Sequence, residues 1–336
     1  MNNSKLMFFN LMMFSIMITI SSNSWVSCWM GLELNTFSFL PFIFKKKNFL
    51  SSETSIKYFF VQSISSVNLM FSQCIIISLI NLKIMNKTFF LPFMSLSVII
   101  CLLFKLGSAP FHFWMINLIE SLDWFSMFIF FSIQKIPPII MISFYMNSKF
   151  LYLIIVLNCL FGSVGGMTQL SIRKIMTYSS IFNFSWMFSA IIISENMFLL
   201  FMFIYSLISM NLFTFFKLIN LTFLNQLHNI KNSKFSILII LINMMSLGGL
   251  PPFLGFIPEW LISIYFIQMK SYIILFIIMM SLINLFYYFQ LIFPLIFLNK
   301  MQPKWNMNLI NNFNLFFFSY FSTSGLMFLN IFFFLM

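Results

Sequence analysis

Long apolar runs fill this chain, and short polar gaps separate them. A membrane-crossing helix needs about 20 predominantly apolar residues, and nearly the whole sequence divides into blocks of that kind. In hydrocarbon only helices and closed barrels satisfy their own backbone hydrogen bonds. The blocks are continuously apolar and lack the apolar–polar alternation of a barrel strand. The pattern therefore predicts an all-α polytopic membrane helix bundle. Eleven membrane segments are expected, beginning near Lys5, Trp25, Ser55, Thr88, Trp124, Phe150, Lys174, Asn196, Phe235, Ser271 and Leu309. The first runs almost directly into the second with no cleavage site, which marks it as a retained helix and not a signal peptide.

Two blocks are too long for one span. Thr88 to Glu120 is interrupted by Gly107-Ser108-Ala109-Pro110, and Phe235 to Gln268 by Gly248-Gly249-Leu250-Pro251-Pro252. Proline removes a backbone donor and clashes with the carbonyl four residues earlier. Pro110 is thus expected to free the carbonyl of Leu106, and Pro251 and Pro252 those of Leu247 and Gly248. Broken helices survive at membrane depth only where they line a cavity or pack against protein. The two breaks fall in the fourth and ninth segments, an odd number of helices apart. A second unit would then start from the opposite side of the membrane, which is the pattern of an inverted repeat with its working site near the broken helices. The expected organisation is a single membrane domain, with a first repeat over about 5–146, a second over about 149–299 and a C-terminal helix over about 309–335.

Composition closes off the soluble alternatives. The 336 residues are 61% hydrophobic and 7% charged, with mean hydropathy +1.00, whereas a soluble domain carries about 25% charged residues. A net charge of +12 would suggest nucleic acid in a soluble protein. Here most lysines occupy the gaps, where they act as topology signals, and no nucleic-acid partner is expected. The side holding the N-terminus collects Lys5, Lys45, Lys46, Lys47, Arg173, Lys174, Lys231, Lys234, Lys300 and Lys304. The other collects only Lys83, Lys87, Lys149 and Lys270. The positive-inside bias then places the N-terminus on the cytoplasmic or matrix side, and Met336 opposite. Cys28, Cys74, Cys101 and Cys159 lie singly inside apolar blocks and are expected to be packing residues, with neither metal nor disulfide roles. No Gly-rich phosphate loop, haem spacing or iron–sulfur spacing occurs, so no redox cofactor is expected on this chain. Lysine far outnumbers arginine, alanine is scarce, and Phe, Ile, Met and Asn abound. That is the coding bias of an A/T-rich, insect-like mitochondrial gene, and it bars any aromatic motif from being drawn out of the 52 Phe.

Against this background the charges inside the blocks stand out. Glu33 sits in the middle of Trp25–Phe44, where a charge costs about 3 kcal/mol or more and marks a functional group with a partner. Lys105 comes two residues before the first break, where the end of a half-helix offers negative dipole and loose carbonyls to an ammonium. A lysine held between apolar surroundings and a carboxylate can gain and lose a proton, whereas an arginine stays protonated. Because either charge is costly alone, Glu33 and Lys105 are expected to meet directly or through one water. Lys135 precedes Pro137-Pro138, which should free the carbonyls of Ile133 and Gln134. His112 follows the first break and can either relay protons or simply bond the broken backbone. Glu259 follows the second break, near a half-helix start that favours a carboxylate. Lys217 is open between function and snorkelling. Glu120, Asp123, Glu195 and Lys45–Lys47 are expected to be solvated boundaries, and His228 a loop residue. These groups suggest a proton or cation pathway, and they do not distinguish a free-standing antiporter, a subunit of a larger assembly, or a structural subunit whose charges only hold helices together.

Several stretches resemble a known family. They are Ser22-Asn23-Ser24-Trp25 with Trp29-Met30-Gly31-Leu32-Glu33-Leu34-Asn35, then Lys105-Leu106-Gly107-Ser108-Ala109-Pro110-Phe111-His112-Phe113-Trp114 and Gln134-Lys135-Ile136-Pro137-Pro138. The run Gly165 to Ile181 and the run Leu247-Gly248-Gly249-Leu250-Pro251-Pro252-Phe253-Leu254-Gly255-Phe256 complete the set. Together they resemble the chain 2 family of NADH–ubiquinone oxidoreductase, antiporter-like membrane subunits of mitochondrial respiratory complex I. The resemblance implies that Glu33 is the family's membrane glutamate and that Lys105 and Lys135 are its central lysines. It implies a multi-pass place in the mitochondrial inner membrane, the N-terminus in the matrix, and other membrane and accessory subunits of complex I and lipids as partners. It also implies that NADH, FMN, iron–sulfur clusters and ubiquinone are bound by other subunits, so that this chain couples their electron transfer to proton pumping. The resemblance further implies that the position of Glu259 passes protons toward the far side, but the family usually carries lysine there, which puts that exit role in question.

Overall fold

The computed structural model describes residues 3–44, 49–81, 90–145, 148–224, 226 and 234–297. The expected segment near Leu309, the Lys45–Lys47 run, Lys83, Lys87, His228, Lys231, Lys300, Lys304 and Met336 lie outside them. The described residues are helical almost throughout, and seven of their helices are long and apolar enough to cross a membrane. They fall into two compact units, Met1–Ile154 and Ile155–Met336.

The first unit opens with α1 (Asn3–Ser21) and α2 (Trp25–Ile43), a helical hairpin whose second helix is capped by the Ser24 hydroxyl accepting from the Ser27 amide at 3.3 Å. α3 (Phe49–Asn81) starts earlier than the Ser55 of the sequence pattern. The polar run Ser51–Ser55, which looks like a gap, coils because its hydroxyls return to the chain: Ser52 to Phe49 O at 2.7 Å and Ser55 to Ser52 O at 2.7 Å. At 33 residues, α3 is about 50 Å long, well beyond a hydrocarbon core of about 30 Å. The exposed Glu53–Lys57 ion pair at its start fits a position outside the hydrocarbon. α4 (Phe90–Leu106) ends at the first break and α5 (Phe113–Ile119) resumes after it. α6 (Trp124–Phe131), a 3₁₀ turn (Ile133–Lys135) and α7 (Ile136–Ser143) make up the next span. Pro137 and Pro138 sit in the first turn of α7, where a missing N–H is not felt. The Ile133 carbonyl, expected to be free, accepts from the Ile136 amide instead, so the proline pair produces a tightened turn.

α8 (Ser148–Met167) leads across the boundary into the second unit. There α9 (Ile172–Ile193) is central and nearly all buried, α10 (Glu195–Ile219) and α11 (Lys234–Leu247) follow, and α12 (Phe256–Gln268) and α13 (Ile273–Phe297) complete the described chain. Burial runs against hydropathy here. α9 carries buried Ser179, Ser180, Asn183, Ser185 and Ser189, whereas the very apolar α13 exposes Leu275, Met279, Leu282, Phe286 and Phe293. In lipid the outside is as oily as the inside, and polar groups must find partners within the bundle. The serines do so by bonding carbonyls one turn back.

The two breaks share one hydrogen-bond pattern. At the end of α4 the Gly107 amide reaches Phe104 O at 3.3 Å and the Ser108 amide reaches Leu103 O at 3.3 Å. At the end of α11 the Gly249 amide reaches Ser246 O at 3.3 Å and the Leu250 amide reaches Met245 O at 3.4 Å. Both are Schellman caps, which need a left-handed residue after the helix. Gly107 (φ 70°) and Gly249 (φ 69°) supply it.

Candidate functional site

In the first unit the interruptions bring two ammonium groups to one place. Lys105 stands on the last turn of α4 and Lys135 ends the 3₁₀ turn, and both are buried. Together they line a cavity of about 20 Å³ with Asn35, Thr36, Tyr58, Gln62 and Gln134. That is room for about one water. The Tyr58 hydroxyl donates to Gln134 Oε1 at 2.9 Å, and Gln62 Nε2 donates to the Lys105 carbonyl at 3.1 Å. The half-helix end thus offers its loose carbonyl to Gln62 and not to an ammonium. The Lys135 ammonium lies 4.8 Å from the centre of the Phe131 ring, a cation–π arrangement. The Lys105 ammonium, Gln134 Nε2 and Asn35 Oδ1 are buried with no hydrogen-bond partner among the described residues. Such groups around a water-sized space are suited to binding water.

Glu33, half-buried on α2, lies within electrostatic reach of Lys105 and of Tyr58. It does not hydrogen-bond Lys105, so of the two contacts expected from the sequence, direct or through one water, the direct one is not formed in this structure. His112 stands at the start of α5 with Nδ1 3.3 Å from Pro110 O and its ring stacked on Phe113 at 4.4 Å. It is not among the residues lining the Lys105–Lys135 cavity.

Glu259 lies in the second unit, in the first turn of α12. Its carboxylate folds back onto Gly249, where a side-chain carbon would collide with it. It lines a second cavity of about 20 Å³ with Asn183, Tyr205 and Ser246. Glu120, Asp123, Glu195 and Lys217 are all exposed, with Lys217 in the last turn of α10. Cys28 and Cys159 are buried, Cys101 is partly so and Cys74 is exposed. Sequence reasoning passed over Tyr58, Gln62 and Gln134. Tyr58 and Gln62 are one helical turn apart in an apolar block, and that spacing was the available signal.

A membrane bundle that breaks two of its helices with the same glycine cap, and sets ionisable side chains beside the breaks, has the architecture of an antiporter-like ion-translocating protein. Residues 22–284 match the model of the family described as NADH:quinone oxidoreductase/Mrp antiporter, TM. The chain belongs to this family. Its sequence relatives are narrower still: it is 39% identical to NADH-ubiquinone oxidoreductase chain 2 of Anopheles gambiae, over 91% of this chain and 89% of that one. It is 35% identical to the same protein of Locusta migratoria, over 90% and 89%. Among solved structures the fold is shared with a chain of respiratory complex I from Thermus thermophilus, at TM-score 0.76 and 17% identity over 87% of this chain and 70% of that one. It is shared too with a chain of the Mrp complex from Dietzia, at TM-score 0.74 and 13% identity over 84% and 59%.

Proposed function

We propose that this chain is a proton-translocating membrane subunit of NADH–ubiquinone oxidoreductase in the mitochondrial inner membrane, with its N-terminus in the matrix. The observation that carries this reading is the buried Lys105 ammonium, which has no hydrogen-bond partner among the described residues and faces a water-sized cavity shared with Lys135. A structural lysine would be paired, since an unpaired charge at this depth costs several kcal/mol. A proton carrier needs the opposite: a group that can be held in either state and a neighbour that can take what it gives. In the proposed step Lys105 releases a proton to water in the cavity and Lys135 receives it. The Glu33 carboxylate, within electrostatic reach, favours the charged form of Lys105, so a change in Glu33 would drive release. No bond other than O–H and N–H is made or broken. Electron transfer from NADH to ubiquinone, with its flavin and iron–sulfur clusters, belongs in this reading to other subunits.

Lys105→Met tests it. Methionine fills similar space and breaks no hydrogen bond among the described residues, so the complex should assemble and transfer electrons. The expected result is fewer protons moved per two electrons in vesicles containing the intact complex. Wild-type stoichiometry in that variant refutes the assignment. A blue-native gel separates subunit from free-standing transporter: the chain should migrate only in a large assembly with NADH dehydrogenase activity.

A further inference from the structure

The second unit holds a buried polar set that the lysine sites do not use. On α13, Asn284, Tyr287 and Tyr288 stand at positions that share one helix face, and each is at most 1% exposed. The opposite face of the same helix is apolar and exposed. The Tyr287 and Tyr288 rings lie 4.7 Å apart, centre to centre. The Tyr288 hydroxyl is close to Ser179 of α9 and Asn284, and within electrostatic reach of the Glu259 carboxylate. Tyr205 of α10 is within the same reach of Tyr288, and it lines the cavity that holds Glu259. The Tyr287 and Tyr288 hydroxyls also lie close to each other. Among the described residues, the hydroxyls of Tyr287 and Tyr288 and Asn284 Oδ1 complete no well-aligned hydrogen bond. In a membrane interior such atoms call for water or for a proton to exchange.

The set also has a direction. Glu259 and Gly249 mark the break between α11 and α12. The Tyr287 ring instead packs on Gly166, where a side-chain carbon would come within 2.8 Å of Cε1. Gly166 is one residue from the end of α8, and the turn that follows exposes Thr168 and Leu170. That turn is tied down by the Ile172 amide on Thr222 O at 3.1 Å and the Leu224 amide on Leu170 O at 3.1 Å. The tyrosines therefore reach from the broken helix to within one turn of a chain reversal at the surface.

We propose that Tyr205, Tyr288 and Tyr287, with Asn284, form a hydrated proton access path joining Glu259 to the membrane face that carries the Thr168–Ser171 turn. Each hydroxyl oxygen accepts a proton from one side as its own hydrogen leaves toward the other, so Glu259 exchanges a proton with that face and no electron moves. The inference rests on the proton-translocating reading above, and the test separates the two. Tyr288→Phe keeps the ring and removes the hydroxyl, whereas Tyr288→Ser removes the ring and leaves room for water. Both are compared with Lys105→Met in intact complex reconstituted into vesicles. The expected result is a loss of protons per two electrons in Tyr288→Phe and recovery toward wild type in Tyr288→Ser. A packing role predicts the reverse order, and that order, or wild-type pumping in Tyr288→Phe, overturns the path. Wild-type pumping in Lys105→Met overturns the broader reading; loss there with intact pumping in Tyr288→Phe overturns only the path. If Tyr288→Phe does not assemble, Tyr287→Phe puts the same question, and wild-type pumping in it refutes the path.

Discussion

At the scale of single residues, Glu259 is the position where this chain parts from the lysine that its family resemblance leads one to expect. Its carboxylate lies against the Gly249 cap and lines a cavity with Tyr205 and Asn183. If the site requires only a group that can gain and lose a proton, Glu259→Lys retains pumping and Glu259→Gln abolishes it, because either ionisable residue can be adjusted by its surroundings and an amide cannot. The start of α12 favours an anion, so the lysine variant should be the slower of the two working forms. Protons per two electrons in assembled Glu259→Gln complex decide the matter, and unchanged stoichiometry removes Glu259 from the pathway. The charged positions were legible in the sequence because a charge within an apolar block has few innocent explanations. Their neutral neighbours were not. Tyr58, Gln134 and Tyr288 differ little, on the page, from the aromatic and amide residues scattered through a sequence of such biased composition. Burial alone separates Tyr58, and burial with an unmet hydrogen bond separates Gln134 and Tyr288.

At the scale of elements, the breaks were legible because glycine and proline write backbone geometry directly into sequence. The similarity of the two caps was not, since it lies in which amide reaches which carbonyl. Nor was the 3₁₀ turn at Lys135, where the proline pair looked like a source of free carbonyls and instead tightens the chain. The cap at Gly249 yields a prediction. Alanine there must adopt a left-handed backbone, at a cost of about 1–2 kcal/mol, and its methyl group would displace the Glu259 carboxylate. Gly249→Ala should therefore lower the thermal stability of the complex and reduce pumping, whereas an alanine at Gly248, where φ is not positive, pushes chiefly on the flexible end of Leu285 and meets the Tyr288 ring only at 3.4 Å. Equal pumping in the two variants would show that the cap does not hold the carboxylate in place.

At the scale of the whole molecule, the expectation that matters for direction is which surface faces the matrix. Basic residues in the gaps stand ten against four in favour of the side holding the N-terminus, a bias that orients membrane proteins during insertion. In the second unit, α9 begins after the Thr168–Ser171 turn beside Arg173 and Lys174, while α12 and α13 are joined through Lys270. A chain inserted by this bias would place the first turn in the matrix and the second in the intermembrane space. The consequence for function is direct: the tyrosine path from Glu259 would then open to the proton-supplying side. Thr168→Cys and Tyr272→Cys, both at exposed positions, allow a test with a membrane-impermeant maleimide. In mitoplasts with an intact inner membrane, Tyr272→Cys should label and Thr168→Cys should label only after the membrane is opened. The opposite pattern would invert the assignment, and with it the side from which the proposed path would draw its protons.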